Sequence, residues 1–212
     1  MFLEIQQIKK HFGEGESRVE VLKGIDIGIE KGEICVLLGP SGSGKSTLLN
    51  IIGGIETPDS GSITIHGETI GDMNEKSLTL YRRKHLGYIF QMYNLIPNLT
   101  ALENVQLKNN LTGYKKKKEI LAFFEKLGLS DKLNVKTGKL SFGQQQRVAF
   151  IRALCQPFDF LFLDEPISHL DDDNSRIMGE LIIGEAEKQQ AGVIATSIGK
   201  HIELPYQRIL QL

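Results

Sequence analysis

The sequence predicts an α/β domain whose mainly parallel sheet carries an N-terminal antiparallel β layer and is interrupted by an inserted helical subdomain. Three observations predict it. The first thirty residues alternate apolar with polar in the β manner, and Ile34 to Leu38 is apolar at every position and runs into a glycine-rich loop and a helix. After a helical middle, the alternation of strand and helix resumes from Asp159.

Taken in order, Phe2, Ile5 and Ile8, then Val19, Val21, Ile25, Ile27 and Ile29, give the antiparallel layer, with Glu30-Lys31-Gly32 as a turn. The unbroken apolar run Ile34 to Leu38 suits a parallel strand covered on both faces. A helix is predicted over Lys45 to Ile52, stopped by Gly53-Gly54. Thr57-Pro58-Asp59-Ser60-Gly61 and His66-Gly67 bracket a short strand, Ser62 to Ile65, and Leu86 to Phe90 makes another.

From about Ala101 to Leu154 helical periodicity is expected throughout. Leu121, Phe124, Leu127 and Leu129 give one apolar face that ends around Gly128, and Val148, Ile151, Arg152 and Leu154 lie on a second helix. Strand Phe160 to Leu163, helix Asn174 to Lys188, strand Val193 to Thr196 and a final strand Arg208 to Leu212 complete the pattern. The expected organisation is one domain over 1–212, with core and β layer at about 1–91 and 155–212 and the helical subdomain at about 92–154.

Composition narrows the function classes. With 212 residues, 41% of them hydrophobic, the chain can bury a real core. Lysine plus arginine (25) nearly balance aspartate plus glutamate (26), so no overall field would hold nucleic acid or an anionic membrane, and no nucleic-acid partner is expected. No stretch reaches the roughly eighteen apolar residues of a membrane span, and a soluble, unexported protein is expected. Cys35 and Cys155 both sit among apolar neighbours and are read as small buried hydrophobes of a reducing cytosol. The one charge run, Lys115 to Lys118, is read as the solvated first turn of the helix ending near Gly128.

Gly39-Pro40-Ser41-Gly42-Ser43-Gly44-Lys45-Ser46, followed by Thr47, satisfies G-x-x-x-x-G-K-[ST], with a buried strand before it and a helix after. Glycines let several backbone N–H groups face one phosphate at a helix N-terminus, where the helix dipole adds positive potential. Lys45 adds a full charge toward the β- and γ-phosphates, and the Ser46 hydroxyl is placed to ligate Mg²⁺. The core is therefore expected to be of the P-loop NTPase, RecA-like kind, binding a nucleoside triphosphate with Mg²⁺, a description that kinases, GTPases and many motors share. The second half of such a site is carboxylate at the end of another buried strand, because the carboxyl ends of parallel strands share one rim. Phe160-Leu161-Phe162-Leu163-Asp164-Glu165 supplies it: Asp164 for the metal shell, Glu165 to orient and polarise the attacking water as general base.

The residues between these motifs decide the class. Leu140-Ser141-Phe142-Gly143-Gln144-Gln145-Gln146-Arg147-Val148 resembles the LSGGQ signature of ATP-binding cassette (ABC) ATPases, and it precedes the acidic strand at that family's spacing. Tyr88-Ile89-Phe90-Gln91 is similar to the family's Q-loop strand, and His169-Leu170-Asp171 to its D-loop. Phe12 falls where the family keeps an aromatic that stacks on adenine. The resemblance covers essentially the whole chain. It implies that Gln91 reaches Mg²⁺ or water, and that Ser141, Gly143, Gln144 and Asp171 serve ATP bound on a second ATP-binding subunit, a homodimer being the simplest form. Ser141 and Gln144 also have capping-box spacing, so a helix with N–H groups suited to a γ-phosphate should start there.

Within the family the chain looks closest to the small bacterial group serving lipoprotein release, macrolide-type export and cell division. The runs Gly42 to Gly54 and Phe90 to Val105 carry that similarity, and a chain ending at its last strand, without the C-terminal regulatory domain of many importers, is the expectation. The resemblance implies an integral-membrane permease partner and a place on the inner face of the cell membrane. Leu95, Ile96 and Leu99 are candidate docking positions, although core packing explains them as well.

Two positions depart from the family pattern. Phe142 replaces the first signature glycine, while Gly143, which must admit the closest backbone approach, is kept. Ser197 stands where the family has its switch histidine; serine makes a hydrogen bond but is short and carries no charge, and His201 lies four residues on, beyond Gly199. Normal binding with slow hydrolysis is the expectation. The alternative is a non-hydrolysing module that dimerises on ATP, or the degenerate half of a heterodimer.

Overall fold

The structure, a computed structural model, describes residues 2–166, 171–199 and 202–212. The N-terminal alternation folds as expected. β1 (Leu3–Phe12) pairs antiparallel with β2 (Val19–Ile29), and β3 (Ile34–Leu38) then enters a separate, parallel sheet. α1 (Lys45–Ile52) follows, ending at Gly53. The short strand bracketed by turns, β4 (Ser60–Ile65), returns to the antiparallel layer beside β1 and is extended by β5 (Glu68–Thr69), giving the order β2-β1-β4-β5.

α2 (Glu75–His85) has no counterpart among the expected elements. Asn74 caps it by accepting from Ser77 N at 3.0 Å, but its sequence is mostly polar and only Tyr81 is buried, so apolar periodicity says little there. β6 (Leu86–Ile89) follows directly and stops before Phe90, one residue short of the expected strand.

The helical middle is three helices, α3 (Ala101–Thr112), α4 (Lys117–Lys126) and α5 (Phe142–Leu154). Helical periodicity does not continue throughout: between Leu127 and Ser141 the chain makes turns and short 3-10 segments. Leu127, Leu129 and Leu140 from this stretch are buried all the same, and buried turn residues mimic a helical stripe in sequence. β7 (Phe160–Asp164), α6 (Asp172–Gln189), β8 (Gly192–Ser197) and β9 (Arg208–Gln211) complete the chain.

The parallel sheet has the order β6-β7-β8-β3-β9 among the described residues. Its apolar strands are explained by two cores, one on each face. Val36, Leu161, Leu163, Val193 and Ala195 face a core built with Val105, Phe124, Phe150 and Met178. The alternate residues Cys35, Leu37, Phe160, Phe162 and Ile194 face a second core shared with α1 and the β layer, through Leu48, Leu49, Leu3 and Ile5. Both cysteines are fully buried, and burial pushes each thiol up to about 12.

The charge run is not uniformly solvated. Lys115 precedes α4, is 6% exposed, and its Nζ lies 2.7 Å from Glu185 Oε2 on α6, which is 2% exposed. An ion pair ties the segment between α3 and α4 to α6, and no periodicity could have shown it because the partners are seventy residues apart.

Candidate functional site

The loop between β3 and α1 needs glycine where its backbone turns left-handed: Gly42 has φ 81° and Gly44 φ 96°. A Cβ on Gly44 would stand 2.7 Å from Leu22 Cδ2 and 2.9 Å from Val21 Cγ1, so the β layer itself demands the absence of a side chain there. A Cβ on Gly42 would meet only open space, the concave side of the loop.

That concave side belongs to a cleft of about 320 Å³ lined by loop residues together with Phe12, Gln91, Glu165 and Ile198. Lys45 is 4% exposed, and its Nζ donates to Gly39 O at 2.7 Å and Pro40 O at 2.9 Å, so the ammonium is held by the loop it would share with a phosphate. Ser43 Oγ is buried without a hydrogen-bond partner, packed against Gly39.

The parallel register brings the second motif to the same rim. Asp164 ends β7 opposite Thr196, and Ser46 Oγ donates to Asp164 Oδ1 at 2.9 Å. A hydroxyl and a carboxylate oxygen that close together, with Gln91 on the cleft wall, form an all-oxygen donor set suited to a hard divalent cation such as Mg²⁺. Gln91 Nε2 donates to Glu165 Oε2 at 3.2 Å. The half-buried Tyr88 has its phenol pushed well above its usual range, first by desolvation and then by the Asp164 charge.

Thr196 is the residue sequence reasoning passed over. Fully buried, its Oγ1 donates to Asp164 Oδ1 at 2.8 Å and accepts from Glu165 N at 3.0 Å. Glu165 has φ 48°, a left-handed conformation costing a side-chain-bearing residue about 1–3 kcal/mol, and the Thr196 bond to its N–H helps to hold it. A threonine at the end of an apolar strand was the available signal, and it reads equally as a β-former.

Ser197 ends β8 at the nucleotide rim. Its side chain is 3% exposed, its Oγ accepts from Gly199 N at 3.1 Å, and the cleft wall at this point is the half-exposed Ile198. Phe12 lines the cleft at 44% exposure, with Lys10 Nζ 5.2 Å from its ring centroid.

The signature segment folds as the capping box: Ser141 Oγ accepts from Gln144 N at 3.3 Å and Gln144 Oε1 accepts from Ser141 N at 3.0 Å. Ser141, Gly143, Gln144 and Asp171 do not line the cleft of their own chain, and Phe142 is 70% exposed. Arg147 joins them: it donates to Gly143 O and Leu127 O, and to Asn174 Oδ1, while Asn174 N donates to Asp171 Oδ1 at 2.8 Å. These bonds from Asn174 hold the Asp171 carboxyl below its usual range. Buried Gln146 donates to Pro166 O, linking the signature helix to the residue after Glu165. His169, Leu170 and His201 lie outside the described residues.

The sequence profile of the family described as ABC transporter matches residues 22–168. The chain is 39% identical over 213 residues to the macrolide export ATP-binding/permease protein MacB of Aggregatibacter actinomycetemcomitans, covering 99% of this chain and 33% of that protein. It thus spans about a third of the length of such fused relatives. Against the lipoprotein-releasing system ATP-binding protein LolD of Legionella pneumophila it is 36% identical over 215 residues, covering 100% of this chain and 95% of the relative. Among solved structures, the ATP-binding cassette MJ0796, as a dimer in a post-hydrolysis state bound to ADP and Pi, matches with a TM-score of 0.80 at 35% identity, over 92% of this chain and 87% of that one.

Proposed function

The chain belongs to the ABC transporter family, and from that premise we propose that it is the ATP-binding, ATP-hydrolysing subunit of a transport or mechanotransmission complex, closing with a second cassette around Mg·ATP to drive a separate membrane subunit. The observation that carries the reading is the single cleft in which the phosphate loop, Gln91 and Glu165 converge beside the Ser46 and Asp164 pair. The MJ0796 cassette, a dimer bound to hydrolysis products, supports both the dimer and the reaction.

Each residue then has a task. Lys45 exchanges the Gly39 and Pro40 carbonyls for phosphate oxygens, and the N–H groups from Gly39 to Thr47 face the phosphates at the start of α1. Ser46, Asp164 and Gln91 would hold Mg²⁺, which supplies charge neutralisation for the leaving phosphates. Glu165 accepts the proton of the attacking water, oriented by its contact with Gln91. Phe12 stacks on the adenine. Ser141, Gly143, Gln144 and Asp171, which leave their own cleft alone, serve the nucleotide of the partner cassette. The relatives are named for macrolide export and lipoprotein release, and an integral-membrane partner at the inner face of the membrane follows for this chain as part of the same proposal. Among the described residues no helix is long and apolar enough to cross a membrane.

Ser197 sets the rate. With a neutral hydroxyl turned onto Gly199 N in place of a histidine, binding is normal and turnover slow. Phosphate release and light scattering test this together. Glu165→Gln should trap an ATP-bound dimer without turnover, and Ser197→His should raise kcat. ATP-dependent dimerisation with no phosphate release, indifferent to Glu165→Gln, would establish the regulatory alternative, and no gain from Ser197→His would remove the role given to Ser197.

A further inference from the structure

At the end of the parallel sheet opposite the nucleotide rim, two imidazoles and one carboxylate converge. His85 closes α2 and immediately precedes β6; Asp159 immediately precedes β7; His66 sits in the turn between β4 and β5. His66 Nε2 lies 2.8 Å and His85 Nδ1 2.5 Å from the same oxygen, Asp159 Oδ2, and the three ligand atoms all lie within 4.8 Å of one another. Gln91 and Glu165 follow the far ends of these same strands, so Asp159 and Glu165 are six residues of extended chain apart, about 20 Å.

We propose that His66, His85 and Asp159 bind a divalent transition-metal ion of the zinc class, as a clasp between the antiparallel layer and the parallel sheet. Two neutral imidazole nitrogens and one carboxylate oxygen are a donor set that suits zinc and does not suit magnesium, which takes oxygen ligands. With metal-ligand distances of about 2.0–2.2 Å, tetrahedral ligands stand roughly 3.3 Å apart. The two contacts to Asp159 Oδ2 are tighter, so the His66 contact lengthens by about 0.5 Å and the His85 contact by about 0.8 Å around the ion. The side chains can do so, being 41%, 37% and 27% exposed for His66, His85 and Asp159.

The backbone is already fixed in place for this. Asp159 N donates to His85 O at 2.9 Å, Gly192 N to Asp159 O at 2.8 Å and His66 N to Phe2 O at 3.2 Å. The two rings are packed as well, His66 edge-on to Phe2 at 4.2 Å and His85 stacked on Tyr81 at 5.9 Å between centroids. The fourth coordination position opens on a cavity of about 340 Å³ whose lining includes His66, His85 and Glu68, so water or the Glu68 carboxylate completes the shell. Three elements distant in sequence thus meet in one set of ligands, and the ion holds the layer that carries Phe12 against the strands that carry Gln91 and Glu165.

The test uses untagged protein stripped with a chelator and titrated with Zn²⁺, with Co²⁺ as the spectroscopic probe. The expected result is one equivalent bound, a Co²⁺ visible spectrum of a four-coordinate nitrogen and oxygen site, and no competition from Mg²⁺. At a hundredfold excess of free Zn²⁺ over Kd, Tm should rise by about 5–10 °C. His66→Asn keeps a residue that tolerates the φ of 52° and removes the ligand; His85→Gln does the same on α2. Each should weaken Zn²⁺ binding by more than the 10- to 100-fold typical of losing an outer-shell partner, without changing ATP affinity. Zinc binding in wild type equal to that of the His66→Asn, His85→Gln double variant would overturn the proposal and leave the trio as a hydrogen-bonded bridge.

Discussion

Replacing Thr196 with valine keeps the shape of a fully buried side chain and removes only its hydroxyl. Two bonds go with it: the one given to Asp164 Oδ1 at 2.8 Å and the one taken from Glu165 N at 3.0 Å. A hydrogen bond to a charged group is worth about 1.5–3 kcal/mol, and a stranded buried donor costs about 1–3 kcal/mol. Because Ser46 still donates to Asp164, the low end of the first range applies, and the sum is about 3 kcal/mol. For a chain of this size that is a fall in Tm of about 6–12 °C. Thr196→Ser keeps the hydroxyl and removes one buried methyl, at about 1 kcal/mol. Urea unfolding followed by circular dichroism separates the two variants. Steady-state turnover adds a second reading: valine frees the backbone of Glu165, so kcat should fall while KM for ATP stays near wild type, the phosphate loop being untouched. If valine is no more destabilising than serine, the hydroxyl is not what holds the rim and the reasoning fails.

Lys115→Ala leaves the Glu185 carboxylate, buried at 2% exposure, with the exposed Lys188 as its remaining cation and should cost about 1–3 kcal/mol by chemical denaturation, whereas Lys115→Met with Glu185→Leu should come close to wild type. A double variant as unstable as Lys115→Ala would contradict this account. Cys35 and Cys155, with thiols raised to about 12 by burial, should resist iodoacetamide at pH 8 in the folded protein and react on unfolding; rapid labelling of the native chain would show that either thiol is open to solvent. Arg147→Lys cannot span Gly143 O, Leu127 O and Asn174 Oδ1 together, so ATP-dependent dimerisation should weaken while nucleotide affinity of the monomer is kept. Equal loss of both would place Arg147 in general stability instead.

What the sequence by itself determined is local or periodic. Ile34 to Leu38, the helix Lys45 to Ile52 and the strand before Glu165 are legible because an apolar run bounded by glycine or acid leaves little choice, and the phosphate loop is legible because phosphate chemistry requires those residues at that spacing. The capping box at Ser141 and Gln144 is equally a contact between neighbours in the chain. The helix Glu75–His85 was hidden because its stability rests on a cap and one buried tyrosine, and the turns from 127 to 141 read as helix because they bury leucines. Only the tertiary structure set Ser197 against Gly199 N, buried Lys115 against Glu185, set Thr196 between Asp164 and Glu165, and gathered His66, His85 and Asp159. Each of these depends on the register of parallel strands and on helices laid across them, and the energy of such a contact belongs to the pair, so neither partner shows it in its own stretch of sequence.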